Sequence, residues 1–112
     1  MRKVEAVIRP WRLDEVKEAV SALGVGGMTV SDVRGLGHEP ERTAYQDGAS
    51  YTIDLIPNAK LEIVMSDQLV DSMVSTICEV ARTGSPGDRK VFVLSLVGPT
   101  RIRTGEAGEA AQ

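Results

Sequence analysis

What this sequence has little of narrows the field first. It carries a single cysteine, Cys78, so no internal disulfide can form. That residue falls on the apolar face of a predicted helix with no histidine near it in sequence, which reads as core packing rather than catalysis. There is no excess of positive charge. A net charge of -3 and a pI near 5.1 argue against a nucleic-acid binder, which needs a basic face to neutralise a phosphate backbone. No apolar run approaches the roughly 18 residues of a membrane span, and Met1-Arg2-Lys3-Val4-Glu5 passes straight into strand-like alternation without a signal-peptide core. The expectation is a cytoplasmic protein. At 112 residues, 42% of them hydrophobic, the chain also lacks the length for two separate cores, so residues 1–112 are expected to form one domain.

Within that domain the apolar period switches between two and three-to-four residues. Over residues 2–9, Val4, Ala6 and Ile8 lie on one side and Lys3, Glu5, Val7 and Arg9 on the other, the signature of a half-buried strand that Pro10 ends. Leu13, Val16, Val20 and Leu23 then recur at helical spacing, with Asp14 and Glu15 in the first turn, where the helix dipole favours negative charge, and Gly24 as the stop. Met28 to Val33 reads as a second strand, ended by Gly35-Leu36-Gly37. Residues 37–57 are the least core-like stretch. A connection of about 20 residues in so small a domain reads as a long, mobile, protruding binding loop. Asn58 to Met65 alternates again as a strand. A helix follows, with Ser66-Asp67 as its N-cap, Leu69, Met73 and Ile77 beside Val70, Val74 and Cys78 as its apolar stripe, and Gly84 as its end. Val91 to Val97 is apolar on both faces, which predicts a central strand or one covered by a partner subunit.

The order β-α-β-β-α-β predicts an α+β fold of the ferredoxin-like kind, a four-stranded antiparallel sheet with two helices on one face. The other face would carry Val7, Val64, Phe92, Leu94 and Leu96. An uncovered apolar sheet on a small domain implies a symmetric assembly with the sheets turned inward.

Two stretches carry chemistry. Thr83-Gly84-Ser85-Pro86-Gly87-Asp88-Arg89-Lys90, spanning 83–90, has the composition of a turn that aims backbone N–H groups into one concavity, and Lys90 adds a movable positive charge suited to a polyphosphate. The same composition also suits a plain helix-to-strand turn. Arg101 and Arg103, spaced i, i+2 in a segment read as extended, project the same way as a two-pronged anion clamp. They belong to a C-terminal loop and tail, 99–112, whose last residues, Glu106 to Gln112, are small and acidic and read as frayed.

Taken together these residues resemble the PII signal-transduction proteins, the nitrogen regulatory protein P-II family. The resemblance covers essentially the whole chain. It rests on Val4-Glu5-Ala6-Val7-Ile8-Arg9-Pro10, on Leu23-Gly24-Val25-Gly26-Gly27-Met28-Thr29-Val30, on Gly35-Leu36-Gly37, on Gly48-Ala49-Ser50-Tyr51, on Lys60-Leu61-Glu62-Ile63-Val64, on Thr83 to Phe92, and on Arg101-Ile102-Arg103-Thr104-Gly105-Glu106. It implies a homotrimeric ferredoxin-like regulator, not an enzyme, that binds ATP or ADP in clefts between subunits. Its long loop would contact partners such as a membrane transporter or a metabolic enzyme. Gly87, Asp88, Arg89 and Lys90 would surround the phosphates, and Arg101 and Arg103 would reach them from the adjacent subunit. Thr29, Glu62 and Val64 would line the adenine and ribose pocket, with Val7, Gly35 and Gly37 at its edge. A triphosphate carries about four negative charges, which Lys90, Arg101 and Arg103 answer with three positive ones and directed donors.

The departures from the family pattern are informative. Arg89 stands where the family's turn has glycine, and could add a fourth cation. His38 stands where typical members carry a phosphate-contacting arginine; being only partly charged near neutral pH, it predicts tighter ATP binding in mild acid. The family's second ligand, 2-oxoglutarate, is held by a magnesium ion that a loop glutamine helps to coordinate and by a lysine. Here Glu39 replaces the glutamine and Asn58 the lysine. A carboxylate can ligate magnesium but repels a dianion, by roughly 4 kcal/mol for unit charges 4 Å apart at an effective dielectric of 20. The expectation is weak or absent 2-oxoglutarate binding. An alternative is a PII-like sensor of adenylate charge with a different second ligand, such as bicarbonate, in inorganic-carbon uptake. Tyr51 falls where some bacterial relatives are uridylylated, and otherwise serves as a partner-contact anchor. The chain shows a phosphate cradle but no second catalytic centre, so slow ATP turnover would be incidental.

Overall fold

Val4, Ala6 and Ile8 in strand β1 (Arg2–Ile8) are almost wholly buried because alternation turns every second side chain toward two amphipathic helices. A computed structural model of the chain describes residues 1–37, 54–85 and 88–108. After β1 come a 3-10 turn, Pro10–Arg12, helix α1 (Leu13–Ser21) and strand β2 (Thr29–Gly37). Strand β3 (Asp54–Met65), a second 3-10 turn, helix α2 (Val70–Ala81) and strand β4 (Val91–Ser95) complete the order. The strands form one antiparallel sheet in the order β2-β3-β1-β4. This is the ferredoxin-like β-α-β-β-α-β arrangement, as the periodicity predicts.

The core lies between the sheet and the helices. Leu61, Ile63 and Met65 of β3 meet Val16 and Val20 of α1 and Met73 and Ile77 of α2, all at 1% exposure or less. Gly24 ends the α1 segment at a φ of 85°, a left-handed conformation that only glycine adopts at no steric cost, and its N–H donates to Ser21 O at 3.1 Å. No described helix is long and apolar enough to cross a membrane.

The structure corrects the sequence reading at several points. β3 begins at Asp54 rather than Asn58, and Pro57 lies inside it opposite Arg34. The reason is topological: β1 pairs with β3 only as far as Ala59, so residues 54–58 have β2 on one side and no described strand on the other, where a missing N–H is tolerated. The loop expected over 37–57 is therefore shorter at its C-terminal end, and 38–53 lie outside the described residues. Of the two readings of this strand, the central one is corrected: in the described sheet β4 is an edge strand beside β1, and Phe92, Val93 and Leu94 remain 54%, 42% and 38% exposed. Leu96 lies beyond it. Arg9, just past β1, is buried at 6% exposure, with its guanidinium 5.7 Å from the Trp11 ring centroid. The Ser66 side chain makes no capping bond. α2 stops at Ala81, with Arg82 already extended and Gly84 two residues further on at positive φ. Cys78 is a half-buried free thiol.

Leu61→Ala removes a fully buried side chain at the centre of the core and is expected to cost about 3 kcal/mol of unfolding free energy. Urea denaturation with an unchanged slope reads this loss; one below about 1 kcal/mol would contradict the packing described.

Candidate functional site

Four charges meet at the centre of the helix-free face. Lys3 Nζ lies 3.0 Å from Glu62 and 3.7 Å from Glu5, and Lys60 Nζ lies 3.4 Å from Glu5 and 3.9 Å from Glu62. The register produces this. Glu5 stands directly opposite Glu62, an arrangement that repels by itself, and the two lysines bridge the pair. The hydrogen bond from Lys3 holds the Glu62 carboxyl below its ordinary value and the Lys3 ammonium above its own. The face expected to be apolar is thus ionic in the middle, with Val7, Val64, Phe92 and Leu94 around that centre. A signal for it is present in sequence, since Lys3-x-Glu5 and Lys60-x-Glu62 put like patterns on one face of two strands.

The lattice separates two clefts. The first, of about 640 Å³, is lined by Gly27, Thr29, Glu62, Val64 and Arg101. The second, of about 530 Å³, is lined by Val7, Gly35, Asn58, Arg89, Lys90 and Phe92. The residues expected to hold a nucleotide therefore divide into two sets within one chain. Thr29, Glu62 and Val64 stand with Arg101, whereas Val7, Gly35, Asp88, Arg89 and Lys90 stand together elsewhere. Gly37 closes β2 opposite Asp54. His38, Glu39, Tyr51 and Gly87 lie outside the described residues.

The turn before β4 is organised by Asp88. Its carboxylate accepts from the Thr83 hydroxyl and from the backbone N–H groups of Thr83 and Gly84 at 3.0 and 3.1 Å. Two of the donors expected to face a phosphate are thus taken by the turn's own anion. The Thr83 hydroxyl, then burial acting in the opposite sense, then those backbone donors and the charge of Arg9 set the Asp88 carboxyl below its ordinary value of 3.8. Arg89 leans across to β2, where Nη1 donates to Leu36 O at 3.3 Å. Lys90 is exposed, and its carbonyl accepts from Val7 N–H at 3.3 Å.

Arg101 and Arg103 do not sit in an extended segment. Arg101 N–H donates to Glu106 O at 2.7 Å, Gly105 N–H donates to Arg101 O at 2.8 Å, and Thr100 bridges Ala107, so 100–107 fold back as a tight turn. Gly105, at a φ of 75°, and the Thr104 hydroxyl bonded to Glu106 explain the reversal. The i, i+2 clamp geometry is lost; Arg101 alone of the pair lines the first cleft. For magnesium, the described residues contain no group of three or more His, Cys, Asp or Glu side chains, and Asp88 is committed to its turn.

Comparison with known proteins gives a consistent result. The sequence model of the nitrogen regulatory protein P-II family matches residues 1–106. The chain is 46% identical over 111 residues to nitrogen regulatory protein P-II of Haemophilus influenzae, covering 99% of each. It is 45% identical over 111 residues, again covering 99% of each, to nitrogen regulatory protein P-II of Klebsiella oxytoca and to nitrogen regulatory protein P-II 1 of Escherichia coli.

The Asp88 contacts predict a pH dependence. A carboxyl whose folded value is depressed contributes stability that is fully present above its unfolded value and is lost as pH falls through the folded one. The urea midpoint of the wild-type protein should fall as pH drops below 3.8, and Asp88→Asn should lose less over that range. Equal losses would show that Asp88 does not stabilise the turn.

Proposed function

The chain belongs to the nitrogen regulatory protein P-II family, and on that premise we propose that it is a signalling protein, not an enzyme, that binds ATP or ADP between the subunits of a homotrimer. The observation that carries this reading is the division of the site. Lys90 and Arg89 line one cleft and Thr29, Glu62, Val64 and Arg101 another, with the ionic lattice between them. A single chain cannot close both sets around one ligand. Two copies packed through their helix-free faces can, with Lys90 of one and Arg101 of the next converging on the same phosphates.

This assignment moves Thr29, Glu62 and Val64 to the same subunit as Arg101, whereas the sequence reading had only the arginines cross over. It also gives the exposed Phe92 and Leu94 something to bury against. The signal would pass through the hairpin of β2 and β3. Its last described rung, Gly37 opposite Asp54, sits directly above the Arg89 contact to Leu36 O, so phosphate drawing on Arg89 bears on the base of the long loop. A nucleotide with different contacts in two loop conformations shifts their populations, and the partner, a transporter or metabolic enzyme, reads the result. With Asn58 uncharged where the family's lysine stands, adenine nucleotide rather than 2-oxoglutarate is the primary signal.

Calorimetric titration tests the reading. ATP is expected to bind saturably, one per chain, and Lys90→Ala and Arg101→Ala should each weaken it about tenfold or more, the loss typical of a charge-assisted contact. Absence of both heat and thermal stabilisation with ATP would overturn it.

A further inference from the structure

Arg89 joins two parts of the sheet that the strand order keeps apart. In the order β2-β3-β1-β4, β2 and β4 are the opposite edges, about 14 Å from each other at the usual strand spacing and beyond the reach of one side chain across the sheet. The contact is made past the sheet's end instead. β1 pairs with β3 only as far as Ile8 and Ala59, and in the room beyond, Arg89 crosses from the turn that leads into β4 to the far end of β2, where Nη1 donates to Leu36 O at 3.3 Å. That bond, with Nε buried, holds the guanidinium in one place. Nη2 is not buried in this way and donates to no described residue. It lies 3.5 Å from the point where a side chain at Gly35 would begin, so the glycine leaves it uncovered.

The second cleft therefore has two adjacent cations of different kinds. Lys90 is exposed on a flexible stem and can follow a phosphate to more than one position, so it serves a short phosphate chain as well as a long one. Arg89 is pinned and can serve only a group that reaches it, at little further cost in side-chain freedom. The third cation, Lys60, is tied to Glu5 and Glu62. On the nucleotide reading, on which this inference rests, the phosphate chain passes from Arg101 of one copy into the second cleft of the next, and a diphosphate ends sooner there than a triphosphate. We propose that Arg89 is the residue that discriminates ATP from ADP, with Nη2 donating to the terminal phosphate while Nη1 stays on Leu36 O. A fixed donor at a fixed depth measures chain length, which a mobile ammonium cannot do.

Two measurements on the full chain test this, one with nucleotide and one without. In calorimetric titrations the wild-type protein is expected to prefer ATP over ADP by about tenfold, the worth of one charge-assisted contact, and Arg89→Ala should weaken ATP by about that factor and ADP far less, so that the preference falls toward one. Lys90→Ala, by contrast, should weaken both nucleotides. In the nucleotide-free protein, backbone amide exchange over 35–36 and 55–56 should be faster in Arg89→Ala than in wild type, because the pin on Leu36 O is gone. Arg89→Gln, uncharged and of similar length, gives the same titration reading should Arg89→Ala fail to fold. A wild-type protein without preference, a preference that survives the loss of Arg89, equal losses for the two nucleotides, or unchanged exchange in the free variant overturns the proposal and leaves the nucleotide reading standing. Wild-type protein that binds neither ATP nor ADP sinks the nucleotide reading and this proposal with it.

Discussion

Strands β1 and β3 lie side by side in one register, Val4 against Ile63 and Glu5 against Glu62, and that pairing decides which side chains meet the helices and which meet water. A slip of β1 by one residue against β3 would turn Lys3 and Glu5 into the core and expose Val4 and Ala6. The penalty on that alternative is large, since unpaired charges in an apolar interior cost several kcal/mol each. The register is thus fixed from both faces. On one it buries the apolar stripe; on the other it assembles an alternating square of charge in which each carboxylate has two ammonium neighbours.

That square has a second consequence. In a single chain it is partly buried and open to solvent on its outer side, where screening keeps the contribution of each pair modest. Covered by another copy it would be desolvated, and the neutral, mutually satisfied arrangement is the form in which charge can be buried at an interface without leaving an orphan. The apolar side chains around it, Phe92 and Leu94 above all, would supply the driving force for closure. The two clefts, one on either side, then become the halves of a shared pocket. On the proposed reading, assembly and nucleotide binding would depend on the same surface, which would make each responsive to the other.

Much of this was legible in the sequence. Each expected helix and strand is present, with bounds that shift at β3, α2 and β4, because each has a buried face and the period follows from that face. What was not legible depended on neighbours in space. Pro57 read as part of the loop over 37–57, and only the topology shows that it lies in β3 past the end of β1. Val91 to Val97 read as a central strand or one covered by a partner subunit because both its faces are apolar, and the topology rules out the first by placing β4 at the sheet edge. Arg101 and Arg103 read as a clamp because the spacing suits a strand, whereas Gly105 and Thr104 reverse the chain between them and Glu106. At the turn, composition marked the phosphate-binding candidates but could not show that Asp88 takes two backbone donors for itself, or that Arg89 reaches Leu36. The lattice was written twice, as Lys-x-Glu in two strands, and needed only the register to be read.

The central claim is that one nucleotide is gripped by two copies of this chain, with Lys90 from one and Arg101 from the other. Co-expression of Lys90→Ala and Arg101→Ala chains tests it most directly, using equilibrium dialysis at an ATP concentration where neither variant alone binds. Mixed assemblies contain some interfaces with both side chains intact, so the account predicts that binding returns in the co-expressed protein and in neither parent. Mixed assemblies as inert as their parents, with subunit exchange verified, would contradict it.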